Sequence, residues 1–139
     1  MTANMRVTST IEGSFTAKIQ GHKDFKADRL QIYKDTEDMY HFSGMEEGSA
    51  PTNPFRTIYI ITEKDAVSGQ HTFPKGIKSF IYVHTTSSGA TDKEFIKEGT
   101  CTIDFDPVNQ RYKMSFLVKV QFPDAELRDI MGSFDLTQN

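Results

Sequence analysis

The stretch EFIKEGTCTIDFDPVNQRYKMSFLVKVQF, residues 94 to 122, decides the fold class. Its first part sets Phe95, Gly99, Cys101, Ile103 and Phe105 on odd positions. Its last part sets Tyr112, Met114, Phe116, Val118, Val120 and Phe122 on even positions, with Arg111, Lys113, Ser115, Lys119 and Gln121 facing away. Alternation of period two marks a strand with one buried face. Between the two parts lies DPVNQ, where Asp and Pro supply turn chemistry. Together they predict an antiparallel β-hairpin packed on one side.

The same period runs through MRVTSTIEGSFTAKIQ near the N-terminus. There Met5, Val7, Ile11, Phe15, Ala17 and Ile19 are odd and polar residues are even. Gly13 inside that run predicts a bulge or corner. DRLQIYKD predicts a strand with Leu30 and Ile32 on one face, and DMYHFSG one with Tyr40 and Phe42 opposed to Met39 and His41. RTIYIIT and KSFIYVHTT predict two more, each apolar on both faces. GSF stands at both 13–15 and 132–134, and terminal strands often lie side by side, so both are expected in one sheet.

Three stretches predict loops: MEEGSAPTNPF, EKDAVSGQHTFPKG with a short helical turn at EKDAV, and TTSSGATDKE. PDAELRDIM predicts a second short helical turn before GSFDLTQ. Helical periodicity is nearly absent elsewhere. The expected fold is all-β, a single antiparallel β-sandwich or β-barrel domain over residues 1–139, with about eight or nine short strands. The segment EGTCTIDFDPVNQRYKMSFLVKV followed by GSFDLT resembles the closing hairpin and last strand of small bacterial β-domains. The likeness transfers no functional residue.

Composition narrows the function. The net charge of −3 comes without a Lys/Arg cluster, since HKDFKADR interleaves Asp24 and Asp28 among its cations. Nucleic-acid binding, which draws on phosphate neutralisation, is not expected. One cysteine, Cys101, excludes an intrachain disulfide and a multi-cysteine zinc site; in the inward register it reads as a small core residue. MTANMRVTST lacks an apolar signal core and no run reaches membrane-spanning length, so a cytoplasmic protein is expected.

No catalytic motif is present. There is no nucleophile elbow, no phosphate loop and no calcium-binding loop. His22, His41, His71 and His84 never stand at the two- or four-residue spacings that put two imidazoles on one face. A metal site would need His41 and His84 from separate strands, with Asp104 completing it; no metal or cofactor is expected.

The residues expected to meet a ligand or an interface are Tyr82, His84, Tyr59, His41 and Tyr40. Tyr59 and Tyr82, on strands close in sequence, are expected to line up with His84 and Phe80 as an aromatic patch. Phe80 itself is expected to be buried. The leading expectation is a non-catalytic β-domain that binds a protein partner or small ligand or pairs with its own copy. The alternatives are a lipocalin-like barrel walled by Tyr112, Met114 and Phe116, and a metal-dependent enzyme on a β-sandwich.

Overall fold

The computed structural model describes residues 10–47, 55–64, 66–85 and 89–139. Its strands are β1 (Ile11–Ile19), β2 (Phe25–Lys26), β3 (Arg29–Lys34), β4 (Tyr40–Glu46), β5 (Arg56–Thr62), β6 (Gly69–Thr72), β7 (Ile77–Thr85), β8 (Thr91–Asp106), β9 (Arg111–Gln121) and β10 (Leu127–Gln138). Every pairing is antiparallel, in the order β2-β1-β10-β9-β8-β7-β5-β4-β3, with β6 against β8. The all-β antiparallel fold is thus as the alternation predicts, and the sheet curls into a half-barrel.

Two segments make the curl. Strand β8 serves both halves: its residues 91–95 pair with β7 and residues 96–106 with β9. At the other side, residues 25–34 join the sheet's ends. Ala27 N donates to Phe15 O at 2.9 Å and Asp28 N donates to Met45 O at 2.8 Å, so consecutive amides bond to β1 and to β4. Gly44 permits this closure, because a Cβ there would lie 2.9 Å from both the Phe15 ring and the Ala27 methyl.

The two GSF segments do meet: Phe15 faces Phe134 across the β1–β10 ladder. Gly13 keeps that register unbroken, and the feature it supplies is its φ of 131°. A Cβ there would fall 1.9 Å from the Asp135 carbonyl oxygen. Ring packing fills the interior: Phe15 contacts Phe134, Phe25 and Phe116 at centroid distances of 5.3, 5.9 and 6.3 Å, and Phe80 meets Phe116 at 5.2 Å. Phe80 is fully buried, as the sequence predicts.

Several boundaries differ from the expectations. Gly69–Thr72, placed in a loop, pairs with β8, and no helix occurs among the described residues. Thr91–Glu94, also placed in a loop, begins β8. The stretch expected to form a second helical turn instead makes a tight turn, closed by Phe122 N donating to Glu126 O, and β10 starts at Leu127. Phe95, expected to face inward, is 51% exposed. A register shift between Ile96 and Glu98 inserts one extra residue, and such a bulge exchanges the two faces. N-terminal of it the inward residues are Glu94 and Ile96. Met5 and Val7 lie outside the described residues, as do 48–54 and 86–88 of the expected loops.

Candidate functional site

The expected site residues divide between the two faces of the sheet. In the β5–β7 ladder Tyr82 stands opposite Ile58 and Tyr59 opposite Ile81, so the two tyrosines point to opposite sides and form no common patch. His84 faces inward beside Tyr82, whereas His41 lies with Tyr59 on the outer face. The His41–His84–Asp104 set is therefore not assembled. Among the described residues no group of three His, Cys, Asp or Glu side chains could hold a metal ion.

The inner cluster occupies one end of the half-barrel. Two cross-strand rows build it: Glu46, Arg56, His84 and Asp92 in one, and Gly44, Ile58, Tyr82 and Glu94 in the next. His22, from the turn after β1, adds a third polar ring, with its Nδ1 2.8 Å from the Tyr82 hydroxyl. The His84 ring stacks on Tyr82 at 4.9 Å, and His22 meets it edge-on at 5.1 Å. Phe122 packs against both imidazoles, at 5.3 Å from His22 and 5.9 Å from His84. The Arg128 guanidinium covers Phe122 at 4.2 Å.

Arg56 is buried and fully engaged. Its Nε and Nη2 donate to the two Glu46 carboxylate oxygens at 3.0 and 2.9 Å, and Nη1 and Nη2 donate to the Lys23 and Asp24 carbonyls. Such a forked, charge-assisted arrangement is the strong form of ion pair. Glu94 differs. Its Oε2 and the His84 Nε2 stand 3.9 Å apart, beyond hydrogen-bond length, and both are buried with no hydrogen-bond partner among the described residues. Thr85 Oγ1 in the same strand end likewise has no hydrogen-bond partner among the described residues.

Burial sets the protonation in this cluster. It raises Glu94 above the usual carboxylate range, with Asp92 adding to the shift. Burial also lowers both imidazoles; in His22 the neighbouring His84 reinforces it, and in His84 the Asp92 charge opposes it. It raises the Tyr82 phenol against the pull of Arg56. All four groups are pushed toward their neutral forms, as desolvation requires.

The outer cluster is a chain of hydrogen bonds across β3, β4 and β5. Asp35, in the β3–β4 turn, accepts the Glu37 and Met39 amides on Oδ1 at 2.8 and 3.0 Å. Its Oδ2 takes the His41 Nε2 at 2.7 Å. The other ring nitrogen, Nδ1, is 2.5 Å from the Tyr59 hydroxyl, and that oxygen is 3.1 Å from the Tyr33 hydroxyl. The Tyr33 ring stacks on His41 at 4.3 Å. The His41 bond, then the Met39 amide, holds Asp35 below the usual carboxylate range. Burial pushes Tyr59 up to about 12.

Tyr40 joins neither cluster. It packs against Tyr112 at 5.1 Å and Phe42 at 5.9 Å, with Lys34 Nζ 5.5 Å from its ring centre. Cys101 is buried and its thiol is pushed up to about 11 by burial, so it supplies no thiolate.

Sequence reasoning passed over His22, Arg56, Glu94, Tyr33 and Asp35. The signal for Asp35 is present: an Asp opening DTED four residues before Met39 has the form of an Asx turn. Glu94 carries none, because the bulge that turns it inward leaves no mark in the alternation.

No known family model, curated protein or solved structure matches this chain. Among the described residues no helix is long and apolar enough to cross a membrane.

Proposed function

We propose that this chain binds a small uncharged ligand at the end of its half-barrel, between His22, Tyr82, His84 and Glu94. One observation carries the proposal: His84 Nε2 and Glu94 Oε2 are buried, 3.9 Å apart and without a hydrogen-bond partner among the described residues. Buried polar side-chain atoms are mostly hydrogen-bonded, and each one left unpaired costs about 1–3 kcal/mol. A single oxygen or nitrogen brought to about 2.8 Å from each, by a shift of the side chains that cover them, satisfies both.

The chemistry of the surroundings defines the ligand. A neutral imidazole and a carboxyl group pushed toward protonation present both a donor and an acceptor. They suit a hydroxyl or amide, which can accept and donate at once. The Phe122 ring, packed against both imidazoles, offers an apolar wall for the rest of the molecule. Arg56 is consumed by Glu46 and two carbonyls, and Arg128 pairs with Asp124, so neither supports recognition of an anion. The middle of the half-barrel is occupied by packed phenyl rings, which favours the polar end over a lipocalin-type central cavity.

The test is a titration of isotopically labelled protein with benzamide and benzyl alcohol, with benzoate as the charged counterpart. Saturable amide shifts around His22, Tyr82, His84 and Glu94 with the neutral probes, absent in Glu94→Leu, support the proposal. Shifts elsewhere only, or an equal response to benzoate, overturn it.

A further inference from the structure

We propose that Tyr59 is a base-activated phenol that accepts acyl groups from activated esters, with His41 as its general base and Asp35 as the positioning residue. This site lies on the outer face and is independent of the inner cluster.

The hydrogen-bond chain fixes the roles. Asp35 is an acceptor at both oxygens: Oδ1 takes two backbone amides, and Oδ2 faces His41 Nε2 at 2.7 Å. The proton of a neutral His41 therefore sits on Nε2, and Nδ1 carries the lone pair. The Tyr59 hydroxyl, 2.5 Å from Nδ1, must then be the donor in that bond. With its own proton committed, the Tyr59 oxygen accepts from the Tyr33 hydroxyl at 3.1 Å. A hydroxyl within hydrogen-bond reach of a base, and a base oriented by a third group that is itself anchored, is the arrangement of an activated nucleophile.

Its placement fits the chemistry. His41 is 9% exposed and sealed beneath the Tyr33 ring, whereas Tyr59 is only half-buried and Tyr33 is 50% exposed. An ester can thus reach the phenol oxygen while the base stays shielded. In the transfer, the Tyr59 oxygen forms a bond to the ester carbonyl carbon as its proton passes to His41 Nδ1. The tetrahedral adduct then breaks the bond to the leaving alkoxide or phenoxide, which recovers the proton. The products are acyl-Tyr59 and the free alcohol or phenol. Burial pushes the Tyr59 phenol up to about 12, so the resting group is protonated and depends on His41 to lose its proton during attack. The same basicity makes Tyr59 a poor leaving group, so the acyl group stays in place once transferred.

The experiment treats the protein with 4-nitrophenyl acetate, follows nitrophenolate release, and maps the acetylated residue by peptide mass spectrometry. Stoichiometric acetylation of Tyr59 ahead of Tyr33 is expected, although Tyr33 is the more exposed. Tyr59→Phe removes the adduct. His41→Ala slows it by about a hundredfold or more and removes the solvent deuterium isotope effect that proton transfer to His41 imposes on the rate, which loss of a merely structural role would not do. Asp35→Asn, with unchanged melting temperature, slows it by at least about tenfold. Acetylation of Tyr33 or surface lysines ahead of Tyr59 overturns the proposal. So does a rate at Tyr59 unaffected by His41→Ala, or a wild-type rate with no solvent deuterium isotope effect.

Discussion

His84 and Glu94 stand on a diagonal of the β7–β8 ladder, with Nε2 and Oε2 3.9 Å apart and neither atom hydrogen-bonded among the described residues. A carboxyl group 3% exposed in its side chain, beside an imidazole pushed toward its neutral form, is a costly arrangement for a fold to keep. Its energetic consequences are measurable.

Glu94 governs stability at neutral and alkaline pH. Burial raises its folded pKa above the unfolded 4.5, so the folded state holds the proton more tightly. The sign follows: its contribution is fully present below pH 4.5 and is lost as pH rises through the folded value. Glu94→Gln keeps the shape of the neutral acid and removes that loss. Denaturant unfolding should find the variant near wild-type stability at pH 4 and about 1–2 kcal/mol more stable at pH 8. A difference that does not grow with pH contradicts this.

The two inner imidazoles act at the acid end. Burial lowers both His22 and His84 from 6.5, so the unfolded chain takes up protons first. Their stabilisation is present above pH 6.5 and lost as pH falls through the folded values. A His22→Gln, His84→Gln double variant should show a flatter decline in unfolding free energy below pH 6.5. An unchanged slope in that window rules the assignment out.

Gly44 is the contact through which the two ends of the sheet approach. Its Cα lies against the Phe15 ring and Ala27, both of them held by neighbouring strands. Gly44→Ala adds a methyl group where none fits and should cost about 1–3 kcal/mol, read as a lower denaturation midpoint with an unchanged m-value. A neutral substitution would show that closure does not depend on this approach.

Arg56 anchors the rim of the inner cluster. Arg56→Ala leaves the Glu46 carboxylate with only the Lys26 amide and strands two carbonyl oxygens, with an expected loss of about 2–4 kcal/mol. Replacing Arg56 and Glu46 together by methionine should recover most of that loss, because the stranded charge disappears with its partner. Equal losses in the single and double variants would place the effect in packing instead.

The strand pattern was legible wherever one face meets the core and the other meets water. Tyr112 to Val120 shows this, as does the pairing of Phe15 with Phe134. Register was not legible, because alternation assigns faces within a strand but not between strands. Hence Tyr59 and Tyr82, similar in sequence context, project to opposite sides. The bulge near Lys97 is a second cause: one inserted residue turns Glu94 inward and leaves Phe95 outside. Buried polar residues break the alternation as surface residues do, so Arg56 and Glu94 read as solvated.

The most direct test of the central claim is the ¹⁵N resonance of the His84 side chain during titration with benzamide at neutral pH. A ligand seated between Nε2 and the Glu94 carboxyl group should move the Nε2 signal saturably, and Glu94→Leu should abolish the movement. A folded protein whose His84 Nε2 signal stays fixed, or moves equally in the variant, would contradict the account.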